Sequence, residues 1–204
     1  MIALVDYGVG NIQAFANIYR RLGIEFCTAK TATDLRRASR IVLPGVGAFD
    51  WAMSRLQKSG LRGALDDEVL CARKPVLGVC VGMQMMARSS EEGILPGLNW
   101  VDAAVVKFDA RLLEGKTHLP HMGWNDARPV CTDTLFSQLS SPYYYFLHSY
   151  FVKPDREESI LATSRYGLIF ASAIRSGNVY GTQFHPEKSH QWGVKLLKNF
   201  AELT

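Results

Sequence analysis

The chain of 204 residues predicts an α/β protein with a parallel central sheet, helices on both faces, and antiparallel strands added in the C-terminal half. Three observations carry this prediction. Short apolar runs alternate with amphipathic stretches through the first half, which is the pattern of βαβ units. Strand-like runs joined by short turns fill the second half, and a glycine-flanked cysteine, Cys80, lies between an apolar run and a helical one.

Taken in order, residues 2–6 form a first strand, and Ile12, Phe15, Tyr19 and Leu22 fall at helical spacing on one face of a helix over about 11–22. Gly23 is its stop. Residues 25–28, 40–43 and 75–79 supply further short strands, separated by helical stretches around Asp34 and over 51–71, and a helix follows from Met83 to Arg88. From Leu98 onward, residues 101–108, 143–152, 159–164, 169–174 and 179–184 read as strands expected to join the same sheet, and Trp192, Leu196 and Phe200 mark one face of a closing helix. No repeat, low-complexity run or linker interrupts the pattern, so residues 1–204 are read as one domain.

Composition excludes several classes. With 48% hydrophobic and 21% charged residues, a chain of this length buries a core without disulfide or metal staples. The four cysteines, at 27, 71, 80 and 131, have no paired short spacing, so neither a disulfide framework nor a zinc site is expected, and a reducing cytoplasm is the natural compartment. The first residues lack the basic leader of a signal peptide, and no apolar run approaches the length of a membrane span. The net charge of +4 comes from scattered residues, apart from Arg20-Arg21 and Arg36-Arg37, so no nucleic-acid partner is expected. Gly8-Val9-Gly10-Asn11-Ile12-Gln13 nearly imitates a dinucleotide loop, but Gln13 stands where the third glycine belongs, so no cofactor is expected. Pro120 between His118 and His121 breaks any helix that would align them on a metal.

The chemistry-bearing segment is Lys74-Pro75-Val76-Leu77-Gly78-Val79-Cys80-Val81-Gly82-Met83-Gln84. A cysteine on a strand-to-helix turn is a thiol version of the nucleophile elbow, with Gly78 and Gly82 expected to supply the sharp turn and room for substrate. At a helix start, backbone N–H groups favour the thiolate. About a hundred residues later, His185 and Glu187 lie two apart, so a strand end would place base and orienter on one face. The backbone at Val81 is one candidate donor to a developing oxyanion, and Pro44-Gly45-Val46-Gly47, otherwise a tight loop after the third strand, is the other.

Through Gly78-Val79-Cys80-Val81-Gly82-Met83-Gln84 and Phe184-His185-Pro186-Glu187 the chain resembles the class I (triad) glutamine amidotransferases. Within them it is similar to the family of glutaminase subunits of imidazole glycerol phosphate synthase. That narrower likeness rests on Asp6-Tyr7-Gly8-Val9-Gly10-Asn11, Pro44-Gly45-Val46-Gly47, His121-Met122-Gly123-Trp124-Asn125 after Pro120, and Tyr145-Phe146-Leu147-His148-Ser149-Tyr150. Val79, Val81 and Leu147 replace the more usual Ile, Leu and Val, swaps of similar volume.

The resemblance implies a flavodoxin-like fold and a single type-1 amidotransferase domain. It implies Cys80 as nucleophile, His185 as base and acid, Glu187 as its orienter, and an oxyanion strand whose Val46–Gly47 peptide reorients to donate alongside Val81. Gln84, Glu92 at the end of the elbow helix, and the backbone of Ser149 and Tyr150 then bind the amino-acid end of glutamine. The implied partner is a cyclase subunit, a (β/α)₈ barrel of about 250 residues, that forms a heterodimer with this chain and consumes the ammonia. Trp124, Asn125, Tyr145 and Lys188 lie at the implied docking face, with Trp124 in a turn and Lys188 on the strand face opposite Glu187. Two rival functions fit part of the pattern: a glutaminase of the same class serving another acceptor, such as a sugar-amidating enzyme, and a non-catalytic binding subunit.

Overall fold

The computed structural model describes residues 1–112, 118–130 and 135–203. Strand β1 (Ile2–Val5) is buried along its whole length and leads into helix α1 (Ile12–Arg21), which turns Phe15, Ala16 and Tyr19 inward. The Asn11 side chain accepts the Ala14 N–H at 3.2 Å and opens the helix. Its end is a Schellman turn: Gly23 adopts φ +67, its N–H reaches the Arg20 carbonyl, and the Ile24 N–H reaches Tyr19.

Strand β2 (Phe26–Ala29), helix α2 (Ala32–Arg37) and strand β3 (Arg40–Gly45) follow. The long helical stretch expected next is three pieces: α3 (Phe49–Ser59), α4 (Arg62–Asp66) and a π-helical turn over Asp67–Cys71. Gly60 breaks it, sitting at φ +74 as the left-handed cap of α3. Strand β4 (Val76–Cys80) runs directly into helix α5 (Val81–Met85).

Beyond α5 come β5 (Ser89–Ser90), β6 (Ala103–Lys107), β7 (His121–Asp126), β8 (Arg128–Pro129), β9 (Tyr143–His148), β10 (Tyr150–Pro154), β11 (Ile160–Tyr166), β12 (Leu168–Ser176) and β13 (Val179–Thr182), and helix α6 (His190–Glu202) closes the fold. The main sheet has the order β2-β1-β3-β4-β13-β12-β11-β8, in which the first five strands are parallel and the last three antiparallel. This is the α/β fold the sequence predicts, with the flavodoxin-like order at its parallel end. The chain steps one way from β1 to β2 and the other way afterwards, so right-handed crossovers place α1 on one face and α2 to α5 on the other. Helix α6 packs against α1.

One expectation is corrected here. Not all the later strands join the main sheet: β6 pairs with β10 and β5 in a three-stranded sheet, and β7 pairs with β9 in a two-stranded ribbon. The expected strand over 143–152 is divided at Ser149, whose carbonyl accepts the Phe108 N–H at 3.1 Å where the chain leaves β7 and turns onto β6. The C-terminal ends of β3, β4 and β13 meet at one crest of the parallel sheet, where ligands bind in open α/β folds.

Candidate active site

Cys80 ends β4 and caps α5 with φ +55 and ψ −115, a backbone region that costs a residue with a side chain about 1–3 kcal/mol. The turn is therefore made by the cysteine itself, and the two flanking glycines do something other than expected. A Cβ on Gly78 would lie 2.6 Å from the Met86 methyl and 2.7 Å from the Gly82 carbonyl, and one on Gly82 would lie 2.0 Å from the Leu43 carbonyl. A Cβ on Gly45 would meet the Gly82 nitrogen at 2.2 Å. These glycines let α5 press against β3 and β4, and that contact forces the strain onto Cys80. Cys80 is only 4% exposed.

His185 stands three residues beyond β13 in extended backbone, and Glu187 lies on a 3-10 turn over Pro186–Lys188. The pair therefore meets through a turn, not by strand alternation. Pro186 fixes the first residue of that turn, and the Glu187 carboxylate folds back to the His185 Nδ1 at 2.8 Å. Three further bonds hold the turn: the Ser189 hydroxyl donates to the His185 carbonyl at 2.6 Å and accepts the Tyr145 N–H at 3.0 Å, and the His185 N–H reaches the Tyr145 carbonyl at 2.9 Å.

Cys80 acts on the same ring from its other side, raising its affinity for a proton. Burial lowers the affinity of its imidazole for a proton, but the bonds and charges of Cys80 and Glu187 outweigh burial and carry its pKa up to about 10. The ring is an imidazolium at neutral pH, with Nδ1–H directed at Glu187. His185 thus stands between Cys80 and Glu187, hydrogen-bonded to the carboxylate and coupled to the thiol.

Val46 and Gly47 leave β3 beside this line, Gly47 with φ +82, and Gly45 pairs in register with Cys80. Val81 begins α5, so its N–H is among the unpaired donors of a helix start. Just before them, the Pro44 carbonyl accepts the buried Tyr7 hydroxyl at 2.8 Å, which also lies 3.5 Å from the Met85 sulfur. Tyr7 so ties together the ends of β1, β3 and α5. Burial, followed by the charge of Cys80, holds its phenol well above the ordinary range.

The residues expected to hold glutamine are divided in their placement. Gln84 is buried, and its Nε2 donates to the Tyr150 carbonyl at 3.2 Å and to Gln183 Oε1 at 3.0 Å. Ser149 and Tyr150 lie at the β9–β10 junction, with both carbonyls already accepting bonds from the protein. Glu92 is not at a helix end. Helix α5 stops at Met85, because the loop over 98–101 satisfies the carbonyls of Met85 and Met86, and Glu92 follows β5. Its carboxylate accepts the Phe49 N–H at 2.8 Å, at the start of α3.

Trp124, Tyr145 and Lys188 come together on one face of the β7–β9 ribbon. Trp124 is in β7 opposite Tyr145, not in a turn, and stacks on His190 with ring centroids 5.2 Å apart at 6°. The Lys188 ammonium lies 5.7 Å from the centre of the Tyr145 ring. Met122, Tyr143 and Leu147 extend this exposed aromatic and apolar face. Asn125 points to the other side of β7, where its Nδ2 meets the Arg165 carbonyl at 2.9 Å and His121 Nε2 at 3.3 Å.

Sequence reasoning missed Gln183, Ser189, the Tyr7–Pro44 bond and the contacts of His148. His148 is buried and bonds His121 Nδ1 through Nε2 at 3.0 Å and the Tyr150 carbonyl through Nδ1 at 2.8 Å. Position beside His185 was the one signal for Gln183 and Ser189, since neither residue type announces chemistry.

The family model for class-I glutamine amidotransferases matches residues 3–203. The chain is 54% identical to imidazole glycerol phosphate synthase subunit HisH of Bdellovibrio bacteriovorus, over 100% of both chains. It is 44% identical to the HisH subunit of Leptospira interrogans, again over 100% of both. Among solved structures it resembles one described as a glutamine amidotransferase, with TM-score 0.74 at 19% identity over 99% of each chain. A glutamine amidotransferase from Thermotoga maritima matches with TM-score 0.62 at 18% identity, over 98% of this chain and 82% of that one. At those identities the solved structures speak for the fold, and the sequence relatives speak for the family. With the family model spanning almost every residue and the relatives matching from end to end, the chain belongs to the class I glutamine amidotransferase family, in the branch of the HisH subunits.

Proposed function

We propose that this chain is the glutaminase subunit of an imidazole glycerol phosphate synthase, with Cys80, His185 and Glu187 as its catalytic residues. The observation that carries this reading is His185, hydrogen-bonded to Glu187 at 2.8 Å and coupled to the strained Cys80, in a chain that matches HisH subunits over its whole length.

Cys80 Sγ attacks the side-chain carboxamide carbon of glutamine, and the carbonyl oxygen takes the negative charge. The Val81 N–H and the peptide between Val46 and Gly47 stabilise that oxyanion. His185 gives its proton to the departing nitrogen, releasing ammonia and leaving a γ-glutamyl thioester on Cys80. Water then attacks the thioester, His185 takes the water's proton, glutamate leaves, and the site returns to its starting charge. Glu187 keeps the imidazole in one tautomer throughout. Gln84, Glu92, Ser149 and Tyr150 are proposed to line the amino-acid end of the substrate.

The ammonia passes to a cyclase subunit, a (β/α)₈ barrel in a heterodimer with this chain, which uses it to make imidazole glycerol phosphate in histidine biosynthesis. Support for a docked partner comes from the face built of Trp124, Tyr145 and Lys188, where exposed aromatic rings sit beside the catalytic turn. Free Cys27, Cys71 and Cys80 suit a reducing compartment, and the cytoplasm is the proposed location. No helix among the described residues is long and apolar enough to cross a membrane.

The test is to copurify the chain with its barrel and measure glutamate release from glutamine, with and without that partner. Partner-dependent release that disappears in Cys80→Ala supports the proposal. Undiminished release by Cys80→Ala rejects Cys80 as nucleophile.

A further inference from the structure

Besides His185, two polar groups approach the Cys80 sulfur: the Leu147 carbonyl and Gln183 Nε2, each at 3.9 Å. They suit opposite protonation states. A carbonyl accepts a bond from an S–H, whereas an amide N–H donates to a thiolate. Gln183 is fully buried immediately after β13, and its backbone N–H is held by the Ser172 carbonyl at 2.9 Å.

The orientation of the Gln183 amide follows by elimination, starting from a backbone group. The Tyr150 carbonyl only accepts, so Gln84 must turn its NH₂ toward it, at 3.2 Å. The same NH₂ faces Gln183 at 3.0 Å, so Gln183 must present its oxygen there. Its NH₂ is then left directed at the sulfur. The second lone pair of the Tyr150 carbonyl takes His148 Nδ1–H, and His148 Nε2 in turn accepts from His121 Nδ1. This chain cannot relay a proton, because two donors converge on one carbonyl. It works as a brace whose every member is uncharged.

We propose that Gln183 is the neutral donor that holds the Cys80 sulfur as a thiolate once its proton resides on His185, and that Gln84, anchored on the Tyr150 carbonyl, is the positioning residue that keeps the Gln183 amide from flipping. The inference rests on Cys80 being the nucleophile. A flipped amide would present its oxygen to the sulfur and disfavour the charged form.

The experiment is the pH dependence of alkylation of Cys80 by iodoacetamide in the full chain, followed on the Cys80 peptide by mass spectrometry so that Cys27, Cys71 and Cys131 do not contribute. For Gln183→Met the midpoint should rise by about one pH unit, and the rate near pH 6.5 should fall about three- to fivefold, the smaller thiolate fraction being offset in part by its greater reactivity. The plateau rate at high pH should rise about two- to threefold, because a more basic thiolate is intrinsically more nucleophilic. Opposite changes at the two ends of the profile are not produced by loosened packing. Gln84→Leu should shift the midpoint in the same direction by less. A folded Gln183→Met with the parent profile overturns the inference. If Gln183→Met does not fold, Gln84→Leu decides: a shift of the same sign supports it, and the parent profile overturns it. Cys80→Ser with undiminished glutamine hydrolysis would reject the nucleophile itself, a result separate from either profile.

Discussion

The Tyr7 hydroxyl and the Pro44 carbonyl, 37 positions apart in sequence, are joined by a buried hydrogen bond of 2.8 Å. The bond anchors the near end of Gly45-Val46-Gly47, the segment proposed to donate to the oxyanion. Tyr7→Phe keeps the ring and removes the donor, at a cost of about 1 kcal/mol. Partner-stimulated glutaminase turnover should fall about five- to tenfold with little change in KM for glutamine. Steady-state kinetics check this, and a variant with unaltered kcat would return Tyr7 to a packing role.

Strain at Cys80 gives an ordering of stabilities. Cys80→Ala and Cys80→Gly should both lose glutamine-dependent turnover, while the complex continues with added ammonium salts, since chemistry on the acceptor needs no thiol. The two differ in fold stability. At φ +55 glycine carries no Cβ penalty, so Cys80→Gly should unfold at a higher denaturant concentration than Cys80→Ala, by about 1 kcal/mol. Urea titrations decide it, and equal midpoints would argue that the elbow stores no strain.

The charge on His185 gives a pH dependence of definite sign. Its folded pKa, about 10, lies above the ordinary 6.5, so the folded state holds the proton more tightly. That contribution to stability is fully present below pH 6.5 and is lost as pH rises through about 10. Glu187→Gln removes the negative charge beside the ring, so its stability should decline at lower pH than the parent's. Melting temperatures from pH 6 to 10 measure the offset. Turnover should drop less in Glu187→Gln than in His185→Ala, because the amide still accepts the Nδ1–H.

His121 and His148 work in the opposite direction. Burial lowers them to about 4 and about 3, His148 being lowered further by the charges of His121 and His185. Their contribution is present above pH 6.5 and is lost as pH falls toward those values, with a slope of about 1.4 kcal/mol per pH unit for each proton taken up on unfolding. His148→Asn keeps a donor near the Tyr150 carbonyl but removes one titrating ring. Its urea midpoint should therefore vary less than the parent's between pH 7.5 and 5, and an identical variation would contradict the assignment of both rings as neutral.

Much of this architecture was legible because it follows from local periodicity. The face made by Phe15 and Tyr19, the Gly23 stop and the alternation of strand and helix need only neighbouring residues. What stayed hidden depends on distant backbone. That α5 ends at Met85, leaving Glu92 outside it, follows from the N–H groups of Leu98, Trp100 and Val101, which no helix signal reveals. Cys80 takes the strained conformation because Gly45 and Gly82 bring two main chains into contact, a relation between segments far apart in sequence. Cys80, His185 and Glu187 stood out as reactive types in suggestive spacing, but the 3-10 turn that joins the last two did not, and Gln183 is an amide with no sequence signature at all.

The ribbon of β7 and β9 separates two roles that the sequence grouped together. Trp124 and Lys188 face outward, Trp124 37% exposed and stacked on His190, and Lys188 over the Tyr145 ring. Neither closes the core, so Trp124→Ala or Lys188→Ala should each weaken barrel binding by about 1–3 kcal/mol with little loss of fold stability. Asn125 faces the opposite side and bridges His121 to the Arg165 carbonyl. Asn125→Ala strips a bond from each of them, so it should lower the melting temperature while leaving barrel affinity nearly unchanged. Calorimetric titration of the barrel into each variant, beside thermal melts of the free chain, separates the two sides of the ribbon. Unchanged affinity with a sharply lowered melting temperature in Trp124→Ala would show that its ring supports the ribbon and leave the docking face without its central aromatic.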